Sequence, residues 1–323
     1  MLGHYGFNTQ IVYDSPSPAD LVKLVREIDG AVIVMPVDTA LCASFMYVYY
    51  RINASGKRAF YYGTIEGDVR NPSALDWVKH RVAFIANSNY TKSKLERAGY
   101  RVLDVIYHGI PVEFYSNSSI CGRALRESLG LTSDVFLVGY VASDHRRKGH
   151  DLASQVAGLV EKKDSSIKFI ILSGSDALKY YAGLSNVVFI DKFAGIPEDQ
   201  LKCIYGALDV YSHFSLAEGF GLPVLEALAS GKPVIHADYN PLSEITTTNT
   251  SFRVPVRRID YYRDFTAINF ELHMYDPVEY AEVILQAKDT VKRHASELEE
   301  LAKTRAREFD MYRVYYKFVE LFS

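Results

Sequence analysis

Long apolar runs are scarce in this chain of 323 residues. The longest strongly apolar stretch, residues 40–50, contains Ser44 and ends before Arg51, well short of the roughly 20 residues that span a bilayer. A transmembrane helix is therefore not expected. The beginning, MLGHYGFNTQ, has no basic segment followed by an apolar core. It predicts no secretory signal, and we expect a cytoplasmic protein.

Cysteine is also rare, and the charges nearly cancel. Cys42, Cys121 and Cys203 are scattered, with no CxxC pair and no histidine at metal-ligand spacing beside them, which predicts neither structural zinc nor a disulfide framework. The 36 Lys plus Arg and 39 Asp plus Glu give a net charge of −3. Bulk charge thus gives no reason to expect a nucleic-acid partner, and any membrane contact would be peripheral.

Enough apolar residues remain to build a large core, because 48% of the chain is hydrophobic and 23% is charged. Short β-rich runs alternate with helical patterns, which is typical of parallel sheets covered by helices. The predicted strands are residues 9–13, 31–35, 59–63, 82–86, 104–106, 136–141, 168–172, 187–190, 210–212 and 233–235. The alternation predicts two Rossmann-like α/β domains joined near residue 112, with a cleft between them.

Three further segments complete this interpretation. A helix is predicted from Pro18, and another is predicted to be capped by Thr91. Residues 259–275 are dense in aromatic side chains without clear periodicity, and we expect a loop packed on the core there. A long C-terminal helix is predicted over residues 277–302.

The most informative stretch is DVYSHFSLAEGFGLPVLEALASGKPVI, residues 209–235. A strand end leads into a glycine-rich loop and then a helix, in which Pro223 suits the first turn and Gly231 the end. The first-turn N–H groups of Gly221 and Leu222, with the positive end of the helix dipole, can bind a phosphate without a basic side chain.

Two carboxylates flank this helix start, Glu218 in the loop and Glu226 about one turn into the helix. With the phosphates of a nucleotide sugar at the helix start, one carboxylate can accept from ribose hydroxyls and the other from the sugar. An ordinary β-α unit with solvated glutamates is the alternative. The glutamate spacing around the Gly-Phe-Gly-Leu-Pro start, together with the Gly-Lys-Pro-Val-Ile strand start, favours a binding site.

These residues resemble a known family. EGFGLPVLEALASGKPVI resembles the donor-binding signature of retaining GT-B glycosyltransferases of family 4, the glycosyl transferases group 1. Supporting matches follow in the expected order: VIYHGIPVEF from 105, LVGYVASDHRRKGHDL from 137, FIDKFAGIPEDQL from 189 and NPLSEI from 240. The resemblance covers about residues 80–245 well and the first 80 poorly.

The resemblance implies an α/β GT-B fold of two Rossmann-like domains facing across a cleft. We expect an acceptor-side domain over residues 1–112 and a nucleotide-sugar domain over 113–303. A C-terminal helix over 304–323 is expected to pack back on the N-terminal domain.

It also implies roles for individual residues. Glu226 would bind ribose, and Glu218 would lie near the donor sugar. Lys148 would neutralise the β-phosphate, with Arg147 or Arg146 as its partner, although Tyr140 stands where many members carry an arginine. The remaining donor-binding candidates are Phe220, Gly221, Leu222 and Pro223 at the helix start, and Lys192 and Phe193 in the loop that contacts the base.

The first domain matches the family less well. In many relatives a histidine near the sugar follows the strand at residues 59–63, and Glu66 of YYGTIEGD is the candidate for that place. Asp38 and Thr39 follow the strand at residues 32–37, and the carboxyl end of a strand is where α/β sites are built. A role as a helix cap is at least as well supported for these two residues. His108 is expected only to hold a turn, and Gly3 and Gly6 do not replace the family's glycine-rich opening.

The resemblance implies transfer with retention, in which the nucleoside diphosphate departs and the acceptor attacks from the same face. No cofactor is expected beyond a UDP, GDP or ADP sugar as donor, and the absence of a DxD cluster predicts metal independence. The acceptor is expected to be a carbohydrate, lipid or protein. The alternatives are a non-catalytic nucleotide-sugar or carbohydrate-binding protein on a degenerate GT-B scaffold, a sugar-nucleotide epimerase, and a nicotinamide-dependent oxidoreductase, for which no complete GxGxxG follows an early strand.

Overall fold

The chain forms two compact units. The computed structural model describes residues 2–12, 17–36, 48–70, 76–79, 81–82, 84–193, 195–264 and 268–323. Unit 1 comprises residues 1–109, 261–271 and 311–323, and unit 2 comprises residues 110–260 and 272–310. Asp38, Thr39 and Cys42 lie outside the described residues.

Unit 1 is built on a parallel sheet. Its strands are β1 (Gly30–Pro36), β2 (Arg58–Thr64), β3 (Gly67–Val69), β4 (Phe84–Ala86) and β5 (Val102–Val105). Four of them form the sheet in the order β1-β2-β4-β5. The helices are α1 (Pro18–Glu27), α2 (residues 48–54), α3 (Asp76–Lys79) and α4 (Asn89–Arg97). Residues 59–62 of β2 are all buried, as expected for a strand covered on both faces.

Local sequence explains how the helices of unit 1 begin. Pro18 occupies the first turn of α1, where its missing N–H has no intrahelical partner, and Ser17 accepts a hydrogen bond from the Asp20 amide at 3.2 Å. The cap predicted at Thr91 is wrong. Ser88 caps α4, because its hydroxyl accepts from the Thr91 amide at 3.0 Å.

Unit 2 contains a larger parallel sheet in the order β11-β10-β9-β6-β7-β8. Its strands are β6 (Phe136–Val141), β7 (Ile167–Ser173), β8 (Val187–Asp191), β9 (Val210–His213), β10 (Val234–Ala237) and β11 (Ser251–Val254). The order reverses between β6 and β9, which pair directly. Loops at such a switch point diverge, so ligand sites form at the carboxyl ends of these strands.

Helices cover this sheet and connect its strands. They are α5 (Val112–Ser116), α6 (Ser119–Ser128), α7 (His150–Lys163), α8 (Leu178–Tyr181), α9 (Glu198–Ala207), α10 (Leu222–Ala229), α11 (Leu242–Ile245) and α12 (Pro277–Arg307). Asp276 caps α12 by accepting from the Val278 amide at 2.7 Å. The predicted C-terminal helix is thus confirmed.

Two sequence-based predictions about strands are wrong. Residues 9–12 carry no regular structure, and Tyr13 lies outside the described residues. The expected loop at 259–275 instead contains β12 (Arg258–Arg263) and β13 (Ile268–Met274). Strand β13 pairs antiparallel with β3, with Phe270 opposite Gly67. A pairing partner about 200 residues away leaves no hairpin signal in the local sequence.

Cys121 on α6 and Cys203 on α9 form a disulfide, 82 residues apart in sequence. The prediction that the cysteines would not pair is therefore wrong for these two. The helices approach closely where glycines face each other, since a Cβ on Gly122 would clash with the Gly206 backbone. Such a long separation gives no recognisable spacing in the sequence.

The last helices, α13 (Met311–Val314) and α14 (Tyr316–Phe322), belong to unit 1. Phe318 of α14 is buried against Phe60, Tyr62, Ile85 and Ile106 of that unit. No helix within the described ranges combines the length and apolar character needed to cross a bilayer.

Candidate functional site

The helix predicted to bind phosphate is present in unit 2. Gly221 is the N-cap of α10 with φ of 107°, a left-handed conformation that favours glycine, and Pro223 lies in the first turn. Leu222 is partly exposed there. Helix geometry gives the Leu222 N–H no intrahelical acceptor, so it is available to an anion. The Val224 N–H donates to the Gly221 carbonyl at 3.0 Å.

Glu218, three residues before Gly221, is buried among basic side chains. The Lys148 ammonium contacts its Oε1, and the Arg147 guanidinium lies 3.4 Å from its Oε2. Lys148 and Arg147 belong to a short 3-10 turn, residues 146–148, which follows β6. The structure thus brings together Glu218, Lys148 and Arg147, three residues to which the resemblance assigned roles at the donor, after the carboxyl ends of β6 and β9.

Tyr140 stabilises this 3-10 turn through a hydrogen bond to its backbone. It lies within β6, is fully buried, and its hydroxyl donates to the Lys148 carbonyl at 2.5 Å. Gly149 ends the turn with φ of 65°, and a Cβ there would clash with the Phe214 carbonyl. Tyr140 therefore serves the site through the backbone of Lys148.

The electrostatics of Glu218 favour its ionised form. Burial opposes ionisation, but the charges of Lys148 and Arg147 and a hydrogen bond from His213 outweigh it, so the pKa of Glu218 lies well below its usual value. Burial lowers the pKa of His213, which keeps its ring neutral. A neutral ring can donate from Nε2, which lies 3.1 Å from Glu218 Oε1.

Glu226 has a separate set of partners. The Tyr205 hydroxyl donates to its Oε2 at 2.7 Å, and Tyr115 also interacts with this carboxyl group. Burial raises the pKa of Glu226, and the interactions with Tyr205 and Tyr115 act in the opposite direction. Glu226 is therefore a half-buried carboxyl group oriented by the Tyr205 hydroxyl.

The other donor-side candidates are spread around this region of unit 2. The Phe220 side chain is buried, with its ring edge-on to Phe309 at 6.3 Å. Arg146 is exposed in the 3-10 turn, and Lys192 and Phe193 are exposed just after β8. The Phe193 amide donates to the Ser173 carbonyl at 3.2 Å, which ties the loop after β8 to the end of β7.

Glu66 belongs to unit 1, between β2 and β3. Its carbonyl accepts a hydrogen bond from the Glu271 amide at 3.2 Å. His108, also in unit 1, lies 3.0 Å from the Tyr62 hydroxyl, and burial lowers its pKa to about 4.

Sequence reasoning missed His213, Tyr205 and Tyr115. His213 ends β9 and stands five residues before Glu218. Its place at the carboxyl end of a strand could have indicated that it belongs to the site. The two tyrosines lie on helices remote from the motif, and nothing local marks them. Among the described residues, no group of His, Cys, Asp and Glu side chains is arranged to hold a metal ion.

Comparison with known proteins extends these observations. Residues 123–258 match the model of the family described as glycosyl transferases group 1. The chain is 26% identical over 321 residues to uncharacterized glycosyltransferase 335 of Sulfolobus islandicus rod-shaped virus 1, covering 97% of this chain and 92% of that relative. A D-inositol 3-phosphate glycosyltransferase of Corynebacterium urealyticum is 28% identical over 195 residues. That alignment covers 53% of this chain and 45% of the relative, less than half the relative's length.

Solved structures show the same fold. Anabaena Alr3699/HepE, in complex with UDP and glucose, has a TM-score of 0.71 at 19% identity over 96% of this chain and 83% of its own. A glycosyltransferase from Rickettsia africae has a TM-score of 0.72 at 14% identity over 97% of this chain and 83% of its own.

The parallel sheets and these neighbours define an α/β protein of the GT-B fold class. Residues 123–258 match the glycosyl transferases group 1, and the relatives to which the chain is similar are glycosyltransferases. Both findings confirm the resemblance found in the sequence.

Proposed function

We propose that the protein is a retaining glycosyltransferase that moves a sugar from a nucleoside-diphosphate sugar to an acceptor hydroxyl. The observation that carries this proposal is the buried cluster of Lys148, Arg147 and Glu218 directly before the start of α10. Two cations and one carboxylate leave these three side chains with net positive charge. A diphosphate at the adjacent helix start would meet both this charge and the helix dipole.

Each part of the nucleotide sugar then has a matching group in the protein. The Lys148 ammonium and the Leu222 amide would bind phosphate oxygens, and Arg147 would support Lys148. Glu226 would accept from the ribose hydroxyls and Glu218 from a sugar hydroxyl. The base would lie against the loop of Lys192 and Phe193.

The proposed reaction is the one that the family resemblance implies. The bond between the anomeric carbon and the β-phosphate oxygen breaks, and the leaving diphosphate takes the bonding electrons. The acceptor oxygen bonds to the same face of the anomeric carbon, and its proton passes to a departing phosphate oxygen. Because negative charge grows on the leaving group, fixed donors there stabilise the transition state.

The donor and acceptor are assigned to different parts of the chain. Donor binding belongs to the predicted domain of residues 113–303, and acceptor binding to that of residues 1–112, with Glu66 as its candidate polar contact. The Anabaena neighbour was crystallised with UDP and with UDP-glucose, so UDP is the first nucleotide to test. GDP and ADP are the next two.

Calorimetric titration with UDP, GDP and ADP tests donor binding, and release of free sugar from the matching nucleotide sugar tests chemistry. We expect one nucleotide to bind, and Glu226→Ala to weaken it about tenfold or more, since hydrogen bonds to a charged group contribute about 1.5–3 kcal/mol each. Glu282→Ala, on an exposed face, is the matched control. Binding without any hydrolysis or transfer would instead support a nucleotide-sugar-binding protein.

We also propose that transfer needs no metal ion, because Lys148 and Arg147 supply positive charge at the place assigned to the phosphates. Activity should be unchanged after treatment with a chelator. Activity that disappears with the chelator and returns with manganese would contradict this prediction.

A further inference from the structure

Glu226 interacts with tyrosine side chains from two helices other than its own. Tyr205 of α9 donates to Oε2 at 2.7 Å, and an interaction with Tyr115 of α5 lowers the pKa of the same carboxyl group. Both tyrosines are buried, at 0% and 3% exposure. Helices α5 and α9 both contact α10, which carries Glu226. Three separate elements thus converge on one carboxylate.

The tyrosine rings leave little freedom for these hydroxyls. The Tyr205 ring centroid lies 6.1 Å from that of Tyr115 and 5.7 Å from that of Tyr211, in edge-on and tilted contacts. Close-packed aromatic rings cannot turn their hydroxyls toward other partners without disturbing their neighbours. The carboxylate is therefore oriented before any ligand arrives.

The hydrogen-bonding capacity of the group then suggests a specific ligand. A carboxylate has about four acceptor positions, and each tyrosine hydroxyl supplies one proton. Even with both tyrosine hydroxyls bonded to it, the carboxylate keeps about two positions for other donors. A ribose presents two neighbouring hydroxyls, which match that remaining capacity.

We propose that Tyr205 and Tyr115 are positioning residues that orient Glu226 to accept both ribose hydroxyls, so that the site selects ribonucleoside over deoxyribonucleoside diphosphates. This inference rests on the proposed function, because it takes Glu226 as the ribose ligand. The tyrosines act through Glu226 and touch no reacting atom. Their removal should weaken only the part of the affinity that depends on ribose hydroxyls.

The test compares UDP with 2′,3′-dideoxy-UDP by calorimetric titration of the full chain, or the corresponding GDP or ADP pair if that nucleotide binds. The variants are Tyr205→Phe and Tyr115→Phe, which remove one hydroxyl each from different helices. Tyr275→Phe is the matched control, because Tyr275 is equally buried but donates to the Phe214 carbonyl. Thermal unfolding of each variant monitors folding.

The wild type should prefer UDP over the dideoxy form, and Glu226→Ala should abolish that preference. Tyr205→Phe and Tyr115→Phe should each reduce it about 3- to 10-fold, the size of one hydrogen bond. In both variants the affinity for UDP should fall, and the affinity for the dideoxy form should stay at the wild-type value. Tyr275→Phe should bind both nucleotides as the wild type does.

Three results would overturn the inference. If both tyrosine variants keep the wild-type preference while Glu226→Ala loses it, the tyrosines do not position Glu226, and the proposed function stands. If they weaken UDP and its dideoxy form equally, their role is purely structural. If the wild type binds none of the nucleotides, the proposed function fails, and this inference fails with it.

Discussion

At the scale of single residues, the site depends on how buried charges are paired. Glu218 lies beside Lys148, Arg147 and His213, and a buried carboxylate remains charged only with such partners. Lys148 is itself buried, and the two opposite charges compensate each other. The same pairing holds the ammonium group in the position that the donor phosphate would need.

Replacing Lys148 with alanine should reduce transfer strongly, because one well-placed donor in a water-excluded site contributes about 3–4 kcal/mol. We expect kcat to fall about 100- to 1000-fold, measured by release of sugar from the donor. Lys163→Ala, which removes a lysine from an exposed face, should leave kcat unchanged. A loss smaller than tenfold for Lys148→Ala would show that Lys148 does not act on the leaving group.

The depressed pKa of Glu218 predicts a particular acid sensitivity. A carboxyl group with a lower pKa in the folded state stabilises the fold above its unfolded pKa, about 4.3, and loses that stabilisation as pH falls toward the folded value. The wild type should therefore exceed Glu218→Gln in Tm at pH 6. This difference should shrink below about pH 4. Parallel Tm curves for the two proteins between pH 3 and 7 would contradict the assignment.

At the scale of elements, the disulfide joins α6 to α9, the helix that carries Tyr205. Cys203 lies on α9, two residues before Tyr205, and its partner Cys121 lies on α6. Gly122 and Gly206 allow the close approach of these helices, because side chains there would clash with the facing backbone. The cross-link therefore restrains the helix that carries a tyrosine bonded to Glu226.

Reduction of the disulfide should lower stability. A bond between residues 82 apart raises the free energy of the unfolded chain by about 4.5 kcal/mol in the chain-entropy model. We expect the free energy of unfolding in urea to fall by up to that amount when a reductant is added. Cys121→Ser should have the reduced protein's stability with or without reductant, and a wild type unaffected by reductant would contradict the prediction.

At the scale of the whole molecule, unit 1 is completed by the end of the chain. Residues 311–323 belong to it, although most of its other residues precede residue 110. Phe318 fills the core beside Phe60, Tyr62 and Ile106. The C-terminal helices are thus part of the apolar core of unit 1.

Phe318→Ala should destabilise the protein by about 3–5 kcal/mol, the usual cost of deleting a buried phenyl ring. Denaturant unfolding would measure this, with Glu320→Ala on the exposed face of the same helix as the control. Deletion of residues 311–323 should reduce solubility more than it changes substrate choice. A soluble truncation with altered specificity would contradict this expectation.

Much of the architecture was predictable because its signals are local. The strands β6 to β10 follow short β-branched runs, and α10 begins at Gly221 and Pro223 as their backbone preferences dictate. The strands β12 and β13 were not predicted, because their pairing with β3 depends on residues far away in the chain. The N-cap of α4 was also predicted wrongly, because Ser88 and Thr91 are both suitable capping residues and Ser88 takes that position.

The sequence by itself determined the α/β alternation, the helix start at Gly221 and the spacing of Glu218 and Glu226, since each depends on neighbouring residues. Only the tertiary structure decided which groups surround those carboxylates. Lys148 reaches Glu218 across 70 residues, and Tyr205 reaches Glu226 across 21. Such pairings arise from the packing of strands and helices in space, and no local pattern along the chain records them.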